Sequence, residues 1–293
     1  MKNIQLYLFL FLSSHAAGLC QEPAQSHTGT EIVVIVILDG SEVLGVIQKE
    51  TESTYSVKSP AGLLTEIPKT SVAKISTFEG KIINGKIYFP DPNKSMYLFA
   101  PSAFPIGHNK SYCRDFCLFF PSYNRGLTNT VSLQAGAFVF PGADFSTIPL
   151  VLSGKLSLPP IGQTQIAGGM MYISLPVQSD VSFGGGFAFG TATLGNRFSH
   201  LSCSLGWGFS QVENRWKFLS DPLFVLSGNY RISNSIAFVG EWWKFPGINL
   251  GETPFMISGR FIGRKIAVDI GVITSLFSAG FGIPLLNFTY HFH

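Results

Sequence analysis

His200 and Ser202 stand two apart in His200-Leu201-Ser202. On an extended chain that spacing puts imidazole and hydroxyl on one face, and a serine becomes a nucleophile only beside such a base. The pair is therefore the candidate for hydrolytic chemistry. Five charges form a second set: Lys155, Arg231, Glu241, Arg260 and Asp269 occur singly, in separate stretches, among Gly, Ser, Ala and Asn. Gathered into one interior they make either an ion-pair network, because a lone buried charge is costly, or a ring that selects ions. The four Cys offer less. Cys20 lies near the start, Cys203 stands alone, and Cys113 and Cys117 are too far apart to bond along a strand and can meet only across a turn. No grouping of Cys, His and acids has metal-ligand spacing. Gly184-Gly185-Gly186 has no helix behind it to cradle phosphate and reads as a bend or a close backbone approach. Neither a metal nor a cofactor is expected.

The elements that position these residues are β-strands. Only 13% of the 293 residues are charged, against about 25% in an ordinary soluble domain, and aromatics reach 14%. Mean hydropathy is positive at +0.29, yet beyond the first residues no apolar run approaches the roughly 18 that a spanning helix needs. Disorder, a helical membrane protein and a highly charged enzyme are excluded. A net charge of +3 is too balanced for nucleic acid. Residues 96–293 hold 23 of the 27 Phe and 24 of the 31 Gly, and charge density halves there relative to residues 21–95. Such a shift marks two physical environments.

Residues 1–20 carry one Lys, an apolar core too short to span, and then small residues, the pattern of a secretory signal peptide cleaved between 16 and 20. Residues 21–30 are a polar linker. Residues 31–92 break into short β-branched runs, among them 31–38 ending at Asp39-Gly40, and a last one at 81–89. Five or six such strands suit a small SH3-like or Sm-like β module.

From residue 95 onward the period is two. Leu201, Cys203, Leu205, Trp207 and Phe209 alternate with Ser202, Ser204, Gly206 and Gly208. Val181, Phe183, Phe187 and Phe189 alternate with Gly184, Gly186, Ala188 and Gly190, and Leu286, Phe288, Tyr290 and Phe292 with Asn287, Thr289 and His291. A soluble sandwich would carry Lys, Glu and Thr on its second face; here that face is Gly, Ser, Ala and Asn. The fold class expected is all-β: a transmembrane antiparallel β-barrel of about 12 strands, range 10–14, over residues 95–293, with bulky residues toward lipid and small ones toward the lumen. Strand starts fall near 95, 112, 129, 149, 164, 181, 198, 218, 235, 253, 265 and 282. Tyr172, Trp207, Trp216, Trp242 and Trp243 form the aromatic girdle. Short periplasmic turns fall near 125, 160, 195, 233 and 263, and external loops near 141–148, 176–180, 211–221, 246–253 and 277–280. That parity sets both ends of the barrel on the periplasmic side. The barrel closes because lipid cannot satisfy a free sheet edge.

At Phe89-Pro-Asp-Pro-Asn-Lys-Ser-Met-Tyr-Leu-Phe-Ala-Pro-Ser-Ala-Phe104 and Leu118-Phe-Phe-Pro-Ser-Tyr-Asn-Arg-Gly126 the chain resembles an uncharacterised family of Gram-negative outer-membrane β-barrel proteins that pair a small N-terminal β module with a C-terminal barrel. The resemblance implies location and architecture and supplies no catalytic residues. The aromatic strand ending in Phe292 resembles those read by the barrel assembly machinery. The His200–Ser202 pair resembles the His-x-Ser of outer-membrane phospholipases, but no Asn-Gly follows it and both residues lie on the lumen face, away from lipid. The reading is a monomeric outer-membrane barrel, with lipid and the assembly machinery as partners. Its module is periplasmic, and its role is passive transport of small solutes or envelope structure. A lipid hydrolase and an envelope-anchoring protein are the alternatives.

Overall fold

A computed structural model describes residues 31–292 apart from 79, 84–85, 143, 145–146, 176–182, 213–214 and 276–281. The expected signal peptide and linker, Cys20, Val181 and the loops expected at 176–180 and 277–280 lie outside the described residues. The chain divides into two compact units, after Phe78.

In the first unit, β1 (Ile32–Ile37), β2 (Glu42–Glu50), β3 (Thr54–Lys58), β4 (Leu64–Pro68) and β5 (Val72–Thr77) make one antiparallel sheet in the order β4-β3-β2-β1-β5. At the β1–β2 turn the backbone N–H of Ser41 donates to the Asp39 carboxylate at 2.8 Å, and Gly40 takes φ 84°, a value glycine adopts without penalty. Val33, Ile35, Ile47, Val57 and Ile67 form its core. The strand expected over 81–89 does not join this sheet. It folds on itself as β6 (Lys81–Ile83) and β7 (Lys86–Tyr88), paired antiparallel.

Among the described residues of the second unit, twelve strands close into an antiparallel barrel. They are β8 (Ser111–Phe116), β9 (Phe120–Gly126), β10 (Val131–Ala137), β11 (Leu150–Ser157), β12 (Thr164–Leu175), β13 (Phe183–Gly195), β14 (His200–Val212), β15 (Arg215–Arg231), β16 (Ile236–Lys244), β17 (Pro254–Ile262), β18 (Ile266–Ser275) and β19 (Ile283–Phe292). The last strand pairs with the first, Asn287 to Phe292 against Phe116 to Ser111, so no edge is left free. The count matches the expectation but the roster does not. The stretch from 95 is no wall strand. The run from 112 is a hairpin instead, turning through Cys117 and Leu118 at φ 54° and 63°. The loop expected at 211–221 is largely strand, because β14 and β15 stay paired out to Val212 and Arg215. One end of the barrel carries the connections at 127–130, 158–163, 196–199, 232–235 and 263–265, here called the turn end; the other is the loop end.

Outward positions are bulky on most strands: Leu150, Leu152 and Leu156 on β11, Leu201, Leu205 and Trp207 on β14, Phe288 and Phe292 on β19 are all exposed. On β13 the expected polarity is reversed. Phe189 is buried and Phe187 packs inward against Trp243, while Gly184, Gly186 and Gly190 share the outer face. The outer face tolerates glycine because neighbours lie over it: a Cβ on Gly184 would meet the Tyr172 ring, and one on Gly186 would meet the Met171 carbonyl and the Phe209 ring. The glycine run is thus a place of close approach.

Candidate functional site

The barrel interior is occupied by the segment that precedes β8. Asp91, Asn93, Ser95, Tyr97, Leu98, Ala100, Ser102 and Ala103 are all at most 2% exposed. Prolines at 90, 92, 101 and 105 keep this stretch from joining a ladder. It folds instead into short turns, with Tyr97 N–H donating to the Ala100 carbonyl at 2.9 Å. Its backbone groups, which a closed interior cannot leave unmet, are satisfied by side chains reaching in from the wall.

The charges do most of this. One carboxylate oxygen of Glu241 on β16 accepts three consecutive backbone N–H groups, from Leu98, Phe99 and Ala100, each at 3.0 Å. This is an anion-binding nest with the anion supplied by the wall. The other oxygen accepts the Trp243 indole N–H at 2.5 Å. Lys155 on β11 donates to three carbonyls, of Ser95, Ser102 and Phe104, at 3.2, 2.7 and 2.9 Å. Arg260 on β17 grips Asp269 of β18 at 2.6 and 3.2 Å, Asp91 at 3.1 Å and the Tyr97 carbonyl at 2.8 Å. Arg114 on β8 donates to the Tyr97 and Leu98 carbonyls and lies 3.8 Å from Asp269. Arg231, half-buried on β15, donates to the Phe89 carbonyl at 2.9 Å. Among the described residues the fully buried acids Asp91, Glu241 and Asp269 face an equal number of buried bases, Arg114, Lys155 and Arg260. Such balance is what makes buried charge tolerable.

Neutral groups complete the seat. Asn93 donates to Thr289 at 3.1 Å and meets His291 at 3.0 Å; Ser95 meets the Tyr112 hydroxyl at 3.1 Å. Ser202 links the Tyr97 hydroxyl and Thr193, 2.6 Å from each, and Thr193 accepts the Ala103 N–H at 2.8 Å. Among the described hydrogen bonds, His200 and Ser202 do not meet each other. The Nδ1 of His200 meets the Asn196 carbonyl at 3.1 Å, its Nε2 has no hydrogen-bond partner, and its ring lies between Tyr97 and Phe104, 5.1 Å from each.

Toward the loop end the interior is apolar. Leu223, Val225, Val239, Trp243, Met256 and Leu285 cluster around Leu98 and Ala100, and Phe99 packs on Phe116, Phe120 and Trp243 at 5.2 to 6.0 Å. Of the residues expected in a girdle, Trp207 and Trp216 are exposed, Trp242 stacks edge-on to Phe224 and Tyr172 bonds Gln211 at 2.7 Å. Trp243 is the exception: it is 5% exposed and faces inward. It lies two residues from Glu241, and in a strand those two must share a face. Sequence reasoning also missed Arg114, Asp91 and Tyr97; the Pro-rich run from 89 is the signal that could have found the last two. The expected lumen of small residues with space to spare is filled: the gap beside Ser95, Tyr112, Ser132 and Lys155 measures about 40 Å³, room for a few waters at most. Cys113, Cys117 and Cys203 are free thiols.

No family model matches the sequence, and no curated protein does. Solved structures with partial likeness include the loop-L8 deletion mutant of OmpT, an outer membrane protein of Vibrio cholerae, at 8% identity and TM-score 0.34, covering 89% of this chain and 96% of that one. Salmonella typhi OmpF in complex with daunomycin matches at 6% identity and TM-score 0.32, with the same coverage.

Proposed function

We propose that the chain is an outer-membrane barrel that is sealed by its own plug and serves to anchor its N-terminal unit in the envelope. The observation that carries the reading is the plug itself, which takes up the inward charges that would otherwise line a pore. A closed wall with a bulky apolar exterior is the arrangement lipid demands. Short connections cluster at the end from which the chain enters β8, and in bacterial barrels that end faces the periplasm. The preceding unit is accordingly read as periplasmic. Its strand order, with the 3₁₀ turn Lys69–Ser71 before the last strand, suits an SH3-like module. The barrel is read as a monomer, handed to the membrane by the assembly machinery through its aromatic last strand, and as no enzyme, since Ser202 is committed to Tyr97 and Thr193.

The test is conductance. Full-length protein, with insertion verified by protease protection of the barrel in vesicles, is expected to insulate a planar bilayer. Steady conductance of the inserted protein would overturn the sealed reading. Release of fatty acid from the same vesicles, abolished by Ser202→Ala, would overturn the non-enzymatic one.

A further inference from the structure

Lys155 differs from the other buried bases of the barrel interior. Arg260 holds Asp269 and Asp91, and Arg114 stands beside Asp269. Lys155 is 8% exposed, yet among the described residues no carboxylate pairs with it. Its partners are the carbonyls of Ser95, Ser102 and Phe104. Three acceptors at one nitrogen call for three N–H donors, which an ammonium has and a neutral amine lacks. The side chain is therefore charged, and a buried charge with no counter-charge is costly. The acids of the interior are engaged elsewhere, Asp269 and Asp91 by Arg260 and Glu241 by the plug's N–H groups and Trp243.

Beside Lys155 lies the gap of about 40 Å³ between plug and wall. The ladder builds its wall side. Ser132 on β10 stands opposite Lys155 on β11, and Gln134 stands opposite Ser153, so the four form one inward patch. Gln134 is 9% exposed, and what remains open of it lines the gap. Among the described residues its amide makes no hydrogen bond, so both of its N–H donors are free. The Ser132 hydroxyl accepts the Ile106 N–H at 3.2 Å, which leaves its own O–H to donate. The Ser153 hydroxyl is likewise unengaged among the described residues. No acid lines the gap.

We infer that this gap is a binding site for one small monovalent anion of the halide class, with Gln134, Ser132 and Ser153 as its donors and Lys155 as its counter-charge. The ammonium acts through its field, because its own N–H groups are taken by the carbonyls; the amide and hydroxyls supply the hydrogen bonds. Size agrees. A water needs roughly 10–15 Å³ of such space, so the gap admits a monatomic ion with a water or two. The Asn124 carbonyl, across the ladder from Gln134, is an acceptor and suits that water. A cation would meet the ammonium, water alone would leave the charge uncompensated, and a divalent oxyanion would overcompensate it. Because Lys155 holds the plug at three carbonyls, the ion steadies the joint between plug and wall. The inference stands on interior geometry and does not rest on the membrane reading.

Two measurements on the full chain test it together. Crystals equilibrated in sodium bromide are expected to show an anomalous peak between Gln134, Ser132 and Ser153. Urea unfolding at fixed ionic strength, with chloride replaced by gluconate, which is too large for the gap, should show a midpoint that rises with chloride and levels off, as for a ligand of the folded state alone. Gln134→Leu should abolish both the peak and the chloride response. Lys155→Met should do the same, and if it does not fold the glutamine variant carries the test. A gap holding water without an anomalous signal, or a peak that survives in Gln134→Leu, would overturn the assignment. A bromide peak without any chloride response would mean an adventitious ion only and would overturn it equally.

Discussion

The two halves of the barrel interior hold the same plug by different physics. Toward the turn end, Arg260, Lys155, Thr289 and Ser202 address individual backbone and side-chain atoms of residues 91–104. Toward the loop end, Trp243, Leu223, Met256 and Leu285 offer only shape and apolar surface. Directional bonds fix register, because a shifted plug leaves buried groups unmet. Dispersion and burial fix closure, because an apolar layer admits neither water nor ions. The contrast teaches that the polar half decides where the plug sits and the apolar half fills the space around it. Glu241 and Trp243 join the two halves through one hydrogen bond.

The contrast can be broken from either side, with stability read by urea unfolding in vesicles and plug exposure by protease cutting between residues 89 and 106. Arg260→Ala should act most strongly, at about 4 kcal/mol, because it strands Asp91 and Asp269 in the interior, and the plug should become cleavable. Leu223→Ala should cost about 3 kcal/mol through the cavity it leaves while the plug stays protected; cleavage there would erase the distinction. Glu241→Gln should cost about 2 kcal/mol, since the charged acceptor of three N–H groups is lost, and should loosen the plug despite its near-equal volume. Ser202→Ala should cost about 1 kcal/mol with the plug still protected and no change in lipid hydrolysis.

Much of the wall was legible because alternation is a local signal. Leu201 to Trp207 and Leu286 to Phe292 announce their faces without knowledge of their neighbours. Lys155 and Asp269 were legible for the same reason, each sitting on the small-residue side of its strand, whereas Glu241 shares its side with Val239 and Trp243 and Arg260 shares its side with Met256 and Ile262. The plug was not, because Met96-Tyr-Leu-Phe-Ala100 has the apolar content of a strand, and only the prolines around it argue otherwise. Trp243 was misread by treating an aromatic near a strand end as a lipid anchor, although its spacing from Glu241 placed both on one side. On β13 the large residues turn inward because the outer surface there is supplied by Tyr172 and Phe209 from adjacent strands, a tertiary fact no window of sequence contains.

The seam between β19 and β8 has a kinetic consequence. It joins the first and last strands of the wall, so it is the ladder whose closure must wait for all the others. The residues that bridge from plug to wall are far apart in sequence, 169 positions for Arg260 and Asp91 and 198 for His291 and Asn93. Such long loops make for slow closure. Until the last strand arrives, β8 and β19 both offer bare edges to any stray chain, and the segment destined for the interior waits outside, tethered to the first strand and enclosed with the zipping of the last.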